Sequence, residues 1–183
     1  MSERHIYGLS TQPYGMDRLD MLLLRELVRD GRASISEIAR RLGVPRTTLM
    51  KRLERLVKRG VIKGFRAVVN PRALGYRYLA FILVKARRGE GGGSVSSQER
   101  LIRRIVEDCR RLESLPWIEE AHIVTGTYDI VLKVWAREWD ELTRFLIVQL
   151  PKYRELVETY TMLVLLTPLE NEAPPVRTGL GRR

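Results

Sequence analysis

Arg46, Thr47, Thr48, Lys51, Arg52 and Arg55 stand within ten consecutive positions of a 183-residue chain. Arginine donates paired N–H bonds to guanine or phosphate, and threonine touches bases or phosphates. Lysine presents a point charge. Between Arg40 and Arg66 there are ten basic side chains and one acid, Glu54. Of the net charge of +11, residues 1–75 carry +9 and residues 76–183 only +2. Double-stranded DNA is the partner this distribution implies, because each neutralised phosphate releases condensed counterions. A merely solvated basic helix would need acids to pair with, and within the segment only Glu54 is offered.

The element that must present these side chains is a helix from about Pro45 to Arg59, ended by Gly60. Leu49, Leu53, Leu56 and Val57 are its expected inward face. Thr48, Lys51, Arg52, Arg55 and Arg59 then point outward, with Arg46 and Thr47 at the N-terminal end, where a recognition helix meets base edges. Two helices precede it. Asp17 and Asp20 have capping-box spacing for a helix reaching about Arg29. Ser34 and Glu37 open a second, with Ile35, Ile38, Ala39 and Leu42 on one face, and Gly43-Val44 breaks it. Three short helices with a glycine-containing turn make a helix-turn-helix pattern. Val61 to Val69 reads as a short wing or hinge strand, and Asn70-Pro71 marks a boundary.

The second half alternates differently. Strands are expected at Tyr78–Val84, Ile118–Thr125, Tyr128–Trp135 and Thr159–Leu166. Gly126-Thr127 reads as a two-residue type II′ turn between the middle pair. Ser96 and Glu99 open a helix with Leu101, Ile102, Ile105, Cys109 and Leu112 on one face. A second helix, Glu138–Leu150, aligns Leu142, Phe145, Leu146 and Gln149. The order predicts an α+β chain: an N-terminal winged helix-turn-helix joined by a short hinge strand to a C-terminal ferredoxin-like βαββαβ domain. The expected divisions are a flexible arm (1–15), a DNA-binding domain (16–70), a regulatory and dimerisation domain (71–167) and a flexible tail (168–183). Tyr78–Val84 and Met162–Leu166 are apolar on both faces, as in sheets covered on two sides. With only two helices available, the second cover is expected from another copy of the chain, making a dimer.

Other chemistries find few residues. One cysteine and two histidines leave no metal cluster, and no cofactor is expected. Gly91-Gly92-Gly93-Ser94 lacks the Lys-Ser/Thr of a phosphate loop, and no nucleophile elbow occurs. Cys109 reads as a packed thiol, and His122 as a hydrogen-bonded sheet histidine. The longest apolar run, Tyr78 to Val84, is far short of a membrane span, and the N-terminus has no signal-type apolar core. A cytoplasmic, nucleoid-associated protein with no membrane partner is expected.

Several segments carry a family resemblance: Met16-Asp17-Arg18-Leu19-Asp20, Asp30-Gly31-Arg32-Ala33-Ser34, Ile38-Ala39-Arg40-Arg41-Leu42-Gly43-Val44, Lys51-Arg52-Leu53-Glu54-Arg55-Leu56, Gly60-Val61-Ile62-Lys63-Gly64-Phe65 and His122-Ile123-Val124-Thr125-Gly126-Thr127-Tyr128-Asp129. Over roughly residues 16–166 the chain resembles the Lrp/AsnC (feast/famine) transcriptional regulators. The resemblance implies dimers that often assemble into octamers, and amino acids bound at contacts between dimers. It places an effector pocket at Gly126, Thr127, Tyr128 and Asp129, with the Asp129 carboxylate holding an amino group and Met162 among the lining. The same residue types also serve a turn structurally, and both readings stand. The sequence departs from the family pattern at Pro45, where a serine cap is usual, in a Gly-rich insertion after the first strand, and at Pro151-Lys152, where Pro-Gly is common.

The function expected is sequence-specific transcriptional regulation, at pseudo-palindromic sites, by a dimer or higher assembly under amino-acid control. Two alternatives remain. In a sirohaem-decarboxylase-like enzyme, His122 or an arginine would meet a tetrapyrrole, yet such an enzyme needs no strongly basic third helix. Against an architectural DNA-coating protein stands the effector-type second domain.

Overall fold

The computed structural model describes residues 15–87, 96–167 and 176. The expected arm and tail, apart from Gly15 and Val176, and the Gly-rich loop at 88–95 lie outside the described residues. The described chain divides into one unit ending at Val68 and another beginning at Val69.

The first unit holds α1 (Arg18–Arg29), α2 (Ile35–Leu42) and α3 (Arg46–Lys58). Both anticipated capping boxes form. Asp17 accepts from the Asp20 N–H at 2.9 Å, and Asp20 accepts from the Asp17 N–H at 3.2 Å. Ser34 and Glu37 exchange the same pair at 3.2 and 3.0 Å. Each box satisfies two donors that a helix start leaves orphaned. Gly43 closes α2 at φ 67°, a left-handed cap that suits glycine. Leu23, Ile38, Ala39, Leu49 and Leu56 form the core. Leu53 packs at its margin, but Val57 is 46% exposed, contrary to its expected inward place. Successive helical residues stand ~100° apart, and Leu56 already fills the inward direction.

No strand forms over residues 61–69, the expected wing or hinge strand. The segment is irregular, and Phe65, Val68 and Val69 are exposed along it. A strand needs a neighbour for its N–H and C=O groups, and none of the described strands pairs there.

The second unit begins with a 3-10 turn, Pro71–Leu74, and continues through β1 (Tyr78–Ala86), α4 (Ser97–Arg111), β2 (Trp117–Ile123), β3 (Ile130–Ala136), α5 (Trp139–Arg144) and β4 (Leu156–Leu163). The sheet order is β2-β3-β1-β4, with every neighbour antiparallel. This is the ferredoxin-like arrangement. Ser96 caps α4 by accepting from the Glu99 N–H at 3.1 Å. Ala80, Ile82 and Val84 of β1 and Ile130, Leu132 and Val134 of β3 bury against Leu101, Ile105, Leu142 and Phe145. The alternate residues Phe81 and Leu83 lie opposite Met162 and Tyr160 on the sheet's other face. There Tyr160 and Met162 are exposed.

Four expectations are corrected. The last strand lies three residues earlier than Thr159–Leu166: it starts at Leu156, opposite Ala86 at the end of β1, and its pairing stops at Leu163, with Leu165 and Leu166 beyond it 89% and 77% exposed. The helix from Trp139 gives way at Phe145 to a π turn through Gln149 and then a 3-10 turn, Leu150–Lys152. Phe145, Gln149 and Leu150 are all buried by this change of winding. Leu112 caps α4 and is exposed instead of continuing its apolar face. The tight two-residue turn is replaced by a wider loop: the Val124 N–H meets the Asp129 carbonyl at 2.9 Å, and Gly126 has φ 127°. A II′ turn requires φ near +60° at its first central residue. Here Asp129 is drawn toward β1, its N–H donating to the Val84 carbonyl at 2.9 Å.

Candidate functional site

At the start of α3, Pro45 offers no side-chain cap, and its carbonyl accepts from the Thr48 and Leu49 N–H groups at 3.0 and 3.3 Å. Proline fixes φ for this position and loses no helical bond there. Arg46, Thr47 and Lys51 are exposed, and Thr48 is half-buried. These four present a mixed hydrogen-bonding and cationic surface at the helix's N-terminal end.

Arg52 and Arg55 are placed otherwise. One Arg52 nitrogen lies 2.5 Å from Asp17 and 2.9 Å from Asp20. Arg55 donates to both Asp20 oxygens, at 2.8 and 2.6 Å. The Asp20 side chain is wholly buried, and that of Arg52 only 22% exposed. The hydrogen bond from Arg52, with that from the Asp20 N–H, holds the Asp17 carboxyl below the usual carboxylate range. The same bond raises the Arg52 guanidinium. The acid partners that the segment itself does not offer therefore come from α1 and its cap. Sequence reasoning used Asp17 and Asp20 as caps only; the available signal was two acids placed ahead of a basic helix. Glu26 makes a further cross-link, to Arg41 at 3.0 Å.

In the hairpin, Gly126 and Thr127 are exposed. The Tyr128 ring lies 6.4 Å from that of Tyr160, and its hydroxyl donates to Glu158 at 3.4 Å. One Asp129 oxygen accepts from the Ala86 N–H at 2.9 Å, so the carboxylate anchors the loop to β1. Met162 is not brought to this site within one chain. It pairs with Phe81, five residues along β1 from Ala86, or ~17 Å at strand spacing.

The His122 ring bonds to Glu120 at 2.9 Å, as expected of a sheet histidine, and this bond leads the lowering of the Glu120 carboxyl. Burial, reinforced by the Asp108 and Glu141 charges, pushes the Cys109 thiol up to about 12, so it is an inert packed group. Among the described residues no group of three or more His, Cys, Asp or Glu is placed to hold a metal ion. No helix among them is long and apolar enough to cross a membrane.

A helix-turn-helix with a basic third helix, followed in the chain by a ferredoxin-like unit, defines a DNA-binding regulator of transcription. Residues 16–63 match the winged helix-turn-helix DNA-binding model, and residues 79–174 the Lrp/AsnC ligand binding domain. The chain belongs to the Lrp/AsnC family of transcriptional regulators. It is 36% identical to an uncharacterised HTH-type transcriptional regulator of Pyrococcus abyssi over 81% of this chain and 85% of that one. It is also 36% identical to the HTH-type transcriptional regulator FL11 of Pyrococcus furiosus, over 88% and 97%. Among solved structures, AsnC of E. coli superposes with a TM-score of 0.69 at 28% identity, covering 87% of this chain and 99% of its own. A Neisseria meningitidis regulator in complex with L-Met shares the fold, with a TM-score of 0.71 at 19% identity over 87% and 96%.

Proposed function

We propose that the protein binds pseudo-palindromic DNA as a symmetric dimer, with residues 16–70 reading the site and residues 71–167 pairing the copies and sensing an amino acid. The reading rests on one observation above others: Arg46, Thr47 and Lys51 stand exposed at the start of α3 while Arg52 and Arg55 are tied to α1. Arg46, Thr47 and Thr48 reach base edges, and Lys51 serves a phosphate. Arg52 and Arg55 hold the helix at its angle, and Arg55, the more exposed, also borders the DNA backbone. Dimerisation uses the open sheet face around Phe81, Leu83, Tyr160 and Met162, whose apolar side chains no helix covers among the described residues. Further assembly into octamers rests on the family resemblance. Binding to DNA makes the protein nucleoid-associated in the cytoplasm.

For the effector, the Neisseria regulator holds L-Met, and a free amino acid is the ligand class carried over to this chain. One oxygen of Asp129 is used by Ala86, and the other is offered to an ammonium group beside Gly126, Thr127 and Tyr128. Met162 joins this pocket only through a second copy. The protein acts by binding and has no catalytic role. Selection of bound fragments from a random duplex pool, with and without amino acids, tests the whole reading. Recovery of symmetric sites with a conserved spacing supports it; recovery of unselected sequence favours a DNA-coating role. Light scattering at micromolar concentration tests the dimer, and a 21 kDa particle would refute it.

A further inference from the structure

We propose that the hollow between the C-terminal end of α4 and the beginning of β2 is a second small-molecule site, shaped for a zwitterion with an apolar side group, such as an aromatic or branched α-amino acid. It is not the hairpin site. Trp117, on its wall, opens β2, whereas the hairpin follows Ile123 at the strand's other end, ~20 Å away at strand spacing. The cavity volume is about 310 Å³, at the small end of the ~300–1,000 Å³ typical of ligand pockets.

One part of the hollow is apolar. The Tyr76 and Trp117 rings lie 5.6 Å apart, tilted by 51°, with buried Leu115 and half-buried Cys109 beside them. Trp117 is 40% exposed, a large indole face without a cover of its own. The other part is charged. The Arg137 guanidinium lies 5.0 Å over the Tyr76 ring, with one nitrogen 3.5 Å from that hydroxyl. Stacking on an aromatic face orients a guanidinium while leaving its in-plane N–H fork to donate two bonds to a carboxylate. The Arg137 backbone N–H donates to Glu141 at 2.6 Å, which fixes that carboxylate on the wall of the hollow. Glu113, Arg137 and Glu141 also line an adjoining hollow of about 250 Å³. Charges of both signs thus meet where the two hollows join. An ion of one sign meets like charge there, whereas a dipolar ligand finds a partner at each end. Its carboxylate goes to Arg137, its ammonium to Glu113 or Glu141, and its side group lies against Tyr76 and Trp117.

Calorimetry of the full-length protein supplies the test, with Asp129→Ala as the background so that the hairpin site is removed. L-phenylalanine or L-leucine should still bind, with a Kd of ~1 mM or tighter. Phenylalaninamide, without the carboxylate, and N-acetylphenylalanine, without the ammonium, should bind ~10-fold more weakly or not at all. Adding Arg137→Gln should abolish binding with an unchanged melting temperature. If Arg137→Gln melts early, Arg137→Lys keeps the charge, drops the fork and should weaken binding. Absence of binding by either amino acid at ~10 mM, above the ~1 mM of weak binding, overturns the site. So does equal binding of the N-acetyl derivative, or binding that survives Arg137→Gln.

Discussion

Arg52 reaches back from α3 to place a guanidinium nitrogen 2.9 Å from Asp20, whose carboxylate is fully buried in α1. Asp20 also accepts from Arg55 and from the Asp17 N–H, so one carboxylate caps α1 and ties down two turns of α3. The orientation of the reading helix is therefore set by a charge on a different helix. Removing one partner of a buried ion pair costs ~3–5 kcal/mol, and the exposure of Arg55 places this case lower, at ~2 kcal/mol. Asp20→Asn should lower the urea midpoint of the helix-turn-helix unit accordingly. It should also steepen the salt dependence of non-specific DNA binding, since Arg55 is released toward phosphate while Arg52 keeps Asp17.

Acid should loosen the same unit. Asp17 titrates below the usual carboxylate range because of Arg52, and Glu37 because of the Ser34 N–H. A carboxyl depressed by folding contributes stability that is present above its unfolded value, ~4, and is lost as pH falls through its lower folded value. Helicity should decline below about pH 4, with a shallower decline in Asp17→Asn, as circular dichroism across that range would record.

DNA binding should separate the basic residues by role. Arg46→Ala should cost ~1–3 kcal/mol at one base pair and relax preference there, if that position is a guanine. Lys51→Ala should weaken all duplexes alike and reduce the salt slope by ~1. Arg52→Ala should lower the melting temperature before it changes sequence preference. Binding to specific and random duplexes at two salt concentrations, after a thermal melt of each variant, distinguishes these outcomes.

At the hairpin, Asp129→Asn retains an acceptor for the Ala86 N–H and loses the charge. It should weaken amino-acid binding measured by calorimetry while leaving effector-free DNA affinity nearly unchanged. Asp129→Ala removes the acceptor too and should additionally speed amide exchange at Ala86.

What the sequence revealed was mostly local. Both N-terminal capping boxes, the break after α2 at Gly43 and the βαββαβ order depend on residues a few positions apart, and all are readable. The ion pairs of Asp20 span 32 and 35 positions, so no spacing rule exposes them. The start of β4 depends on where β1 stops, at Ala86, and the shape of the hairpin on a bond from Asp129 to a different strand. Continuous periodicity through Phe145 concealed the π turn, because burial on the correct face continues through the change of winding. The second hollow was invisible for the same reason as the Asp20 pairs: Tyr76, Cys109, Trp117 and Arg137 meet only after folding.

β1 and β4 are antiparallel neighbours, with Ala80 opposite Leu163 and the Val164 N–H bonded to the Leu79 carbonyl. The backbone thus enters the first strand and leaves the last at the same end of the sheet. Tension applied between these two points would act across the ladder, loading one rung at a time, starting at Leu79. β4 would peel from β1 at low force, as a zipper opens, whereas a pull directed along the strands would have to shear every rung together. Single-molecule stretching from these points should therefore show the outer strand detaching first, with the helix-covered part of the sheet still closed.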